Sequence, residues 1–204
     1  MGGEDKAFIR IGGETILESV IAALAPQCRQ LIINANGNPA RFASTRVPVV
    51  ADSVPDYAGP LAGILTALDW TAANAPHIEW IVSAPCDCPF LPSDLVERLH
   101  RARIDAETPL ACACSAQPHP VIAVWPVTLR EDLRRAVLGE GVRKVESFFA
   151  RHGHAVATWP AAPIDPFFNV NTPEDVAAAD RIAAQIRQPR EGARGRNERT
   201  SRNE

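Results

Sequence analysis

Nowhere does this sequence approach the roughly 18 consecutive apolar residues that a membrane-spanning helix requires. Its start, MGGEDKAFIR, also lacks the apolar centre of a signal peptide. A chain without either segment is expected in the cytoplasm and away from membranes. A basic excess is missing too. The formal net charge of −3 offers no global attraction to nucleic acid, so a phosphate-bearing ligand must be caught by a local site, and the expected partner is a small molecule. Lysine is nearly absent, since only Lys6 and Lys144 stand among 21 basic residues. The zinc-knuckle spacing C-x₂₋₄-C is missing from the five cysteines. Cys86 with Cys88 and Cys112 with Cys114 form C-x-C pairs in strand-like sequence, and Cys28 stands apart, which favours small core residues over a metal site. No internal repeat is present.

What the chain does have is apolar material for one compact core, with 46% hydrophobic and 22% charged residues in 204. One domain over residues 1–187 is expected. Thr15 and Glu18 form a capping box ahead of Ile16, Leu17, Val20, Ile21 and Leu24, and Pro26 closes that helix. A second helix opens at Gly59-Pro60 and carries Leu61, Ile64, Leu65 and Leu68 on one side. Further helices are expected to start near Ser93, Thr128 and Val142. The last begins at Thr172-Pro173-Glu174-Asp175, where an N-cap, an N1 proline and first-turn acids coincide, and runs to about Arg187.

Between the helices lie Leu31 to Ile33, Val47 to Ala51 and Trp80 to Ser83, apolar runs whose lack of alternation predicts parallel strands covered on both faces. Later strands are expected at Leu110 to Cys114, Val121 to Trp125 and Ala155 to Trp159, one of them able to run antiparallel. Strands alternating with helices predict an α/β three-layer sandwich with a mostly parallel sheet. From Gln188 the tail QPREGARGRNERTSRNE has almost nothing to bury and five arginines among polar residues, which reads as a disordered, solubilising segment.

In open α/β sheets, ligands bind beyond the carboxyl ends of the strands. Three such ends carry polar residues: Asn34-Ala35-Asn36-Gly37, Asp52, and Asp87 after Ala84-Pro85-Cys86. One crevice is expected to hold all three. Asp87, a lone carboxylate in a proline-bracketed turn after a strand, suits Mg²⁺, which keeps several waters and takes its other ligands from substrate phosphates. The same residue type also caps loops. Gly2-Gly3 can bring backbone N–H groups to phosphate oxygens, and Lys6 beside them can contact a triphosphate as a point charge. Gly59-Pro60 opens a helix whose first N–H groups form an anion site. His119 between two prolines, and Asn169 and Asn171 before the last helix, are candidates to support a substrate, although each is also an ordinary loop residue.

Taken together, MGGEDK, the spaced NAN, the Asp52 segment, GPLAGI, PCDCPFLP, HPV and NVNTPED resemble, in order and separation, the molybdenum cofactor guanylyltransferases over about residues 1 to 185. The resemblance implies a Rossmann-like nucleotidyltransferase fold of the nucleotide-diphospho-sugar transferase kind. It implies that Lys6 contacts GTP phosphates, that Asn34 and Asp52 hold the nucleotide, and that Asp87 binds Mg²⁺. Asn171 would support the metal or the second substrate, the molybdopterin of the molybdenum cofactor, and Gly59, Pro60, His119 and Asn169 stand with it as second-substrate or supporting residues, with transient contact to molybdoenzymes or their chaperones and a monomer as default.

Two departures stand out. Cys88 occupies the position where the family commonly has threonine. Family members also begin with an apolar strand, an LAGG-type loop and an arginine before the MGG segment at which this sequence begins. The resemblance therefore implies a first strand upstream, whose absence exposes neighbouring strand edges and removes N–H donors from the phosphate cradle. A cytidylyltransferase or sugar-phosphate nucleotidyltransferase of the same fold remains open, as does a catalytically silent homologue that binds nucleotide or molybdopterin. An RNA-binding role for the arginine tail is a remote alternative.

Overall fold

The computed structural model describes residues 6–54 and 59–187. Gly2-Gly3 and the tail from Gln188 lie outside the described residues. After a 3-10 turn at Lys6–Phe8, β1 (Arg10–Ile11) and β2 (Glu14–Thr15) form a tight hairpin. Its corner needs positive φ twice, and Gly12 (φ 60°) and Gly13 (φ 99°) supply it. Helix α1 (Ile16–Leu24) starts as the capping box requires: the Thr15 hydroxyl accepts from the Glu18 N–H, and the Glu18 carboxylate accepts from the Thr15 N–H.

Strand β3 (Ile33–Asn34) pairs in parallel with β4 (Val49–Val50). Helix α2 (Pro60–Asn74) follows with Gly59 at its N-cap, then β5 (Trp80–Ser83) and α3 (Leu95–Asp105). The C-terminal half adds β6 (Ala111–Cys114), β7 (Pro118–Pro126), α4 (Arg130–Arg134), α5 (Val145–His152), β8 (Ala155–Thr158) and α6 (Pro173–Arg187). The larger sheet has the order β5-β7-β6-β8. β7 is antiparallel to both β5 and β6, and β6 is parallel to β8, so three strands run one way and β7 alone is reversed.

Helices cover both faces. Along β6 and β7, Ala111, Ala113, Ile122 and Val124 point into a core built with α1, α3 and α6. Their neighbours Cys112, Ala123 and Trp125 point into a second core with α2, α4 and α5, where Phe148 and Phe149 are fully buried. Side chains of successive strand residues leave opposite faces, so a strand between two helical layers must be apolar without alternation.

The strands Ile33–Asn34, Val49–Val50 and Trp80–Ser83 differ from that expectation. None is fully covered; Asn34 is exposed and the rest are half-buried. Among the described residues, β3 pairs only with β4, and β5 pairs only with β7. β3 and β5 border a common cleft, because both line a cavity of about 680 Å³, and Leu31 and Ile32 ahead of β3 share with β5 a second cavity of about 300 Å³. Leu31, Ile32 and Val82 touch both cavities, Trp80 and Ile81 only the smaller, and Ile33, Asn34 and Ser83 only the larger. The two strands therefore point the same way, with their carboxyl ends at the larger cavity. Among the described residues no helix is long and apolar enough to cross a membrane.

Candidate active site

The three polar strand ends meet. Asn34, Asn36 and Asp52 from the β3 and β4 ends, Gly59, Pro60 and Gly63 from the start of α2, and Cys86 and Asp87 after β5 all line the cavity of about 680 Å³. Asp52 is locked between two amides: Asn34 Nδ2 donates to Oδ1 at 2.9 Å and Asn36 Nδ2 to Oδ2 at 2.8 Å. Asn36 Oδ1 in turn accepts the Asp52 N–H at 2.9 Å. Each group fixes its neighbour, so the loop after β3 and the loop after β4 form one rigid wall. Asn36, which the sequence shows only as part of the NAN spacing, does as much of this work as Asn34.

Helix α2 approaches that wall closely. A methyl group built on Gly63 lies 2.4 Å from Asn34 Oδ1, so only glycine allows Asn34 its position. Gly59 has φ 135°, a conformation open to glycine, and Pro60 occupies the first helical position, where no N–H is needed. No side chain caps this helix start. Gly59, Pro60 and Gly63 bring the positive dipole end of this helix to the cavity, while the Ala62 N–H donates to the Gly59 carbonyl at 3.3 Å.

Asp87, which lines the same cavity, is half-buried, and its backbone carbonyl accepts the Val170 N–H at 2.9 Å. That bond ties the turn after β5 to the segment leading into α6. Asn171, the next residue, accepts from Lys6 Nζ at 2.6 Å. Asp175 holds the same segment by accepting from the N–H groups of Asn171 (2.9 Å) and Thr172 (2.8 Å), while the Thr172 hydroxyl accepts from the Asp175 N–H. Those backbone bonds, with help from Lys6, hold the Asp175 carboxyl below the ordinary carboxylate range. Lys6 is followed by Ala7, which lines the cavity. Asn169 is exposed beside Val170. Lys6, Asn171 and Asp87 are thus linked through two bonds, as their shared candidacy requires.

His119 sits apart from that network. Ser115 Oγ lies 2.9 Å from His119 Nε2 and donates to Asp165 Oδ2 at 3.1 Å. Neither Ser115 nor Asp165 carries a signal in the sequence, because the bond spans 50 positions. Cys88, beside Asp87, is buried; burial foremost, and the Asp87 charge next, push its thiol far above the ordinary range, so it stays protonated and is no nucleophile. Among the described residues no three His, Cys, Asp or Glu side chains gather as a metal cluster. Two carboxylates line the cavity, and because both oxygens of Asp52 accept from Asn34 and Asn36, the candidate cation ligand is Asp87. It fits a hard cation that shares its ligands with phosphate oxygens and waters.

A family model described as the MobA-like NTP transferase domain matches residues 1–156. The molybdenum cofactor guanylyltransferase of Rhodopseudomonas palustris (strain BisB5) is 58% identical over 184 residues, covering 90% of this chain and 88% of that one. The protein of the same name from Nitrobacter hamburgensis is 57% identical, with 90% and 88% covered. Among solved structures, the molybdopterin-guanine dinucleotide biosynthesis protein A of Archaeoglobus fulgidus superposes with a TM-score of 0.68 at 25% identity, over 90% of this chain and 92% of that one. A helix start and the Asp87 carboxylate at one cavity agree with these likenesses, and the chain belongs to the MobA-like nucleotidyltransferase family of molybdenum cofactor guanylyltransferases.

Proposed function

We propose that this chain transfers GMP from GTP to the molybdenum cofactor, giving the guanine dinucleotide form and pyrophosphate, a reading supported by relatives named molybdenum cofactor guanylyltransferase. The observation that carries this proposal is the convergence of Asn34, Asp52, the α2 start and Asp87 on one cavity. An oxygen of the terminal phosphate of the molybdopterin forms a bond to the α-phosphorus of GTP, and the bond from that phosphorus to the α–β bridging oxygen breaks. The electron pair leaves with pyrophosphate. No protein nucleophile is required.

Asn34, Asp52 and Asn36 hold the nucleoside side, and the N–H groups at the start of α2 receive anionic oxygens. Lys6 supplies positive charge against the phosphates, and Asn171 orients its ammonium. Asp87 would hold Mg²⁺, which when bound neutralises charge on the phosphates. Asn169 and Asn171 belong to the side that receives the second substrate. The whole unit up to Arg187 acts as one nucleotidyltransferase domain in the cytoplasm, with α6 contributing Ala179 and Ala183 to its core. Catalysis is positioning plus charge neutralisation.

The test is an assay of the 204-residue chain with Mg·GTP and molybdopterin, following pyrophosphate and the dinucleotide product. Release of one pyrophosphate per dinucleotide supports the proposal; pyrophosphate with CTP and none with GTP contradicts the base assignment. The unpaired edges of β3 and β5 beside the cavity favour a second reading, a chain that binds nucleotide without transferring it. Tight GTP binding with no product under any condition would select that one.

A further inference from the structure

Ser115, His119 and Asp165 form a chain whose proton positions follow from counting. A serine hydroxyl has one proton, and an ionised carboxylate only accepts. The Ser115 proton therefore goes to Asp165 Oδ2 at 3.1 Å, and the contact of 2.9 Å between Ser115 Oγ and His119 Nε2 must be a donation from the ring. The second carboxylate oxygen, Asp165 Oδ1, accepts the Phe167 N–H at 2.9 Å, which fixes the carboxylate in turn. Burial lowers the His119 pKa against an opposing pull from Asp165, and the ring is neutral near pH 7. Nδ1 is then a bare acceptor, and among the described residues no donor is bonded to it.

The chain lies beside the site. The His119 ring packs on Phe167 with centroids 5.0 Å apart, and the Phe167 carbonyl accepts from the thiol of Cys88, the neighbour of Asp87. Val121, two residues further along β7, lines the cavity itself. Phe167, Val170 and Asn171 belong to one segment, so Asp165 and Asn171 flank the stretch that closes the Asp87 side.

We infer that Asp165 and Ser115 are positioning residues that lock His119 in its Nε2–H tautomer, presenting Nδ1 as the acceptor for a ring N–H or amino group of the pterin substrate. This rests on the function proposed above, for which a pterin is the second substrate. Adenine and guanine offer similar donors, but Asn34 and Asp52 line the cavity proposed for the nucleotide, whereas Ser115, His119 and Asp165 are not among its lining residues.

The tautomer is read by long-range ¹H–¹⁵N correlation of the imidazole, and recognition by direct titration with molybdopterin and, separately, with Mg·GTP. The expected wild-type ring is protonated at Nε2. Ser115→Ala mixes the tautomers and raises the molybdopterin Kd about tenfold, the usual worth of one supported hydrogen bond, with the GTP Kd unchanged. Ser115→Thr, which keeps the hydroxyl, restores both readouts. Protonation at Nδ1 in the wild type overturns the inference. So does an equal rise in both Kd values, or a molybdopterin Kd that Ser115→Ala leaves unchanged. Selective loss of molybdopterin affinity in a chain that transfers no GMP supports the inference and overturns the transfer reaction instead.

Discussion

β6 and the second half of β7 are buried between two helical layers, whereas β3, β4 and β5 are partly open, and β3 and β5 border the cavities. The apolar runs of β3, β4 and β5 are the ones that predict cover on both faces, whereas β6 and β7 are expected from the sequence only as later strands. The difference separates two tasks. The β6–β7 region, with Trp125, Phe148 and Phe149 in close ring contact, carries the packing. The β3–β5 region gives up packing along its edges and gathers the polar strand ends. Even where the two regions touch, the bond is polar: Trp125 Nε1 donates to Ser83 Oγ at 2.8 Å, joining the packed layer to the last residue of β5.

The sharpest way to break this comparison is a pair of truncations. Phe148→Ala should cost about 3–5 kcal/mol in denaturant unfolding, the range for a fully buried aromatic, while Val82→Ala at the cleft should cost about 1 kcal/mol because its surroundings are already open. Equal losses would mean that the cleft is packed as tightly as the core. On the functional side, Asp87→Ala should lower GMP transfer at least about 100-fold with the unfolding midpoint unchanged, a loss typical of removing one charge-stabilising group. Gly63→Ala comes next. The added methyl displaces Asn34, so the Kd for GTP should rise about tenfold while helix propensity leaves stability equal or slightly higher.

The smallest effect concerns pH. The Asp175 carboxyl titrates below its unfolded value, so its contribution to the α6 start is present above the ordinary carboxylate pKa of about 3.9 and is lost as pH falls through the folded value. Asp175→Asn should therefore give a slightly lower melting temperature at pH 7 and no difference at about pH 2. A thermal melt at both values checks it.

Local signals were legible. The Thr15–Glu18 capping box, the Gly59-Pro60 start and the Thr172 to Asp175 N-cap each need only neighbouring residues, and each stands where the sequence puts it. Trp80–Ser83 was also found residue for residue. The strands near Ile33 and Val49 are shorter than their apolar runs, because a strand is defined by its partner and these two have one each. The Gly12-Gly13 hairpin was visible in the sequence as a glycine pair but outside the motifs that drew notice.

Of the site, Asn34, Asp52, Asp87, Lys6 and Asn171 were readable from strand ends and motif resemblance. Asn36 was seen and undervalued. Ser115 and Asp165 were invisible, since their roles come from a bulged antiparallel pair and a loop far along the chain. Local chemistry marks where a helix begins; only the folded chain shows which loops share a wall.

The most direct measurement is calorimetric titration of the 204-residue chain with GTP and with CTP, each with and without Mg²⁺, repeated on Asp87→Ala. Preference for Mg·GTP that disappears in the variant is the predicted result. Binding that ignores Mg²⁺ and Asp87, or no nucleotide binding at all, would contradict the assignment of this cavity as the site of guanylyl transfer.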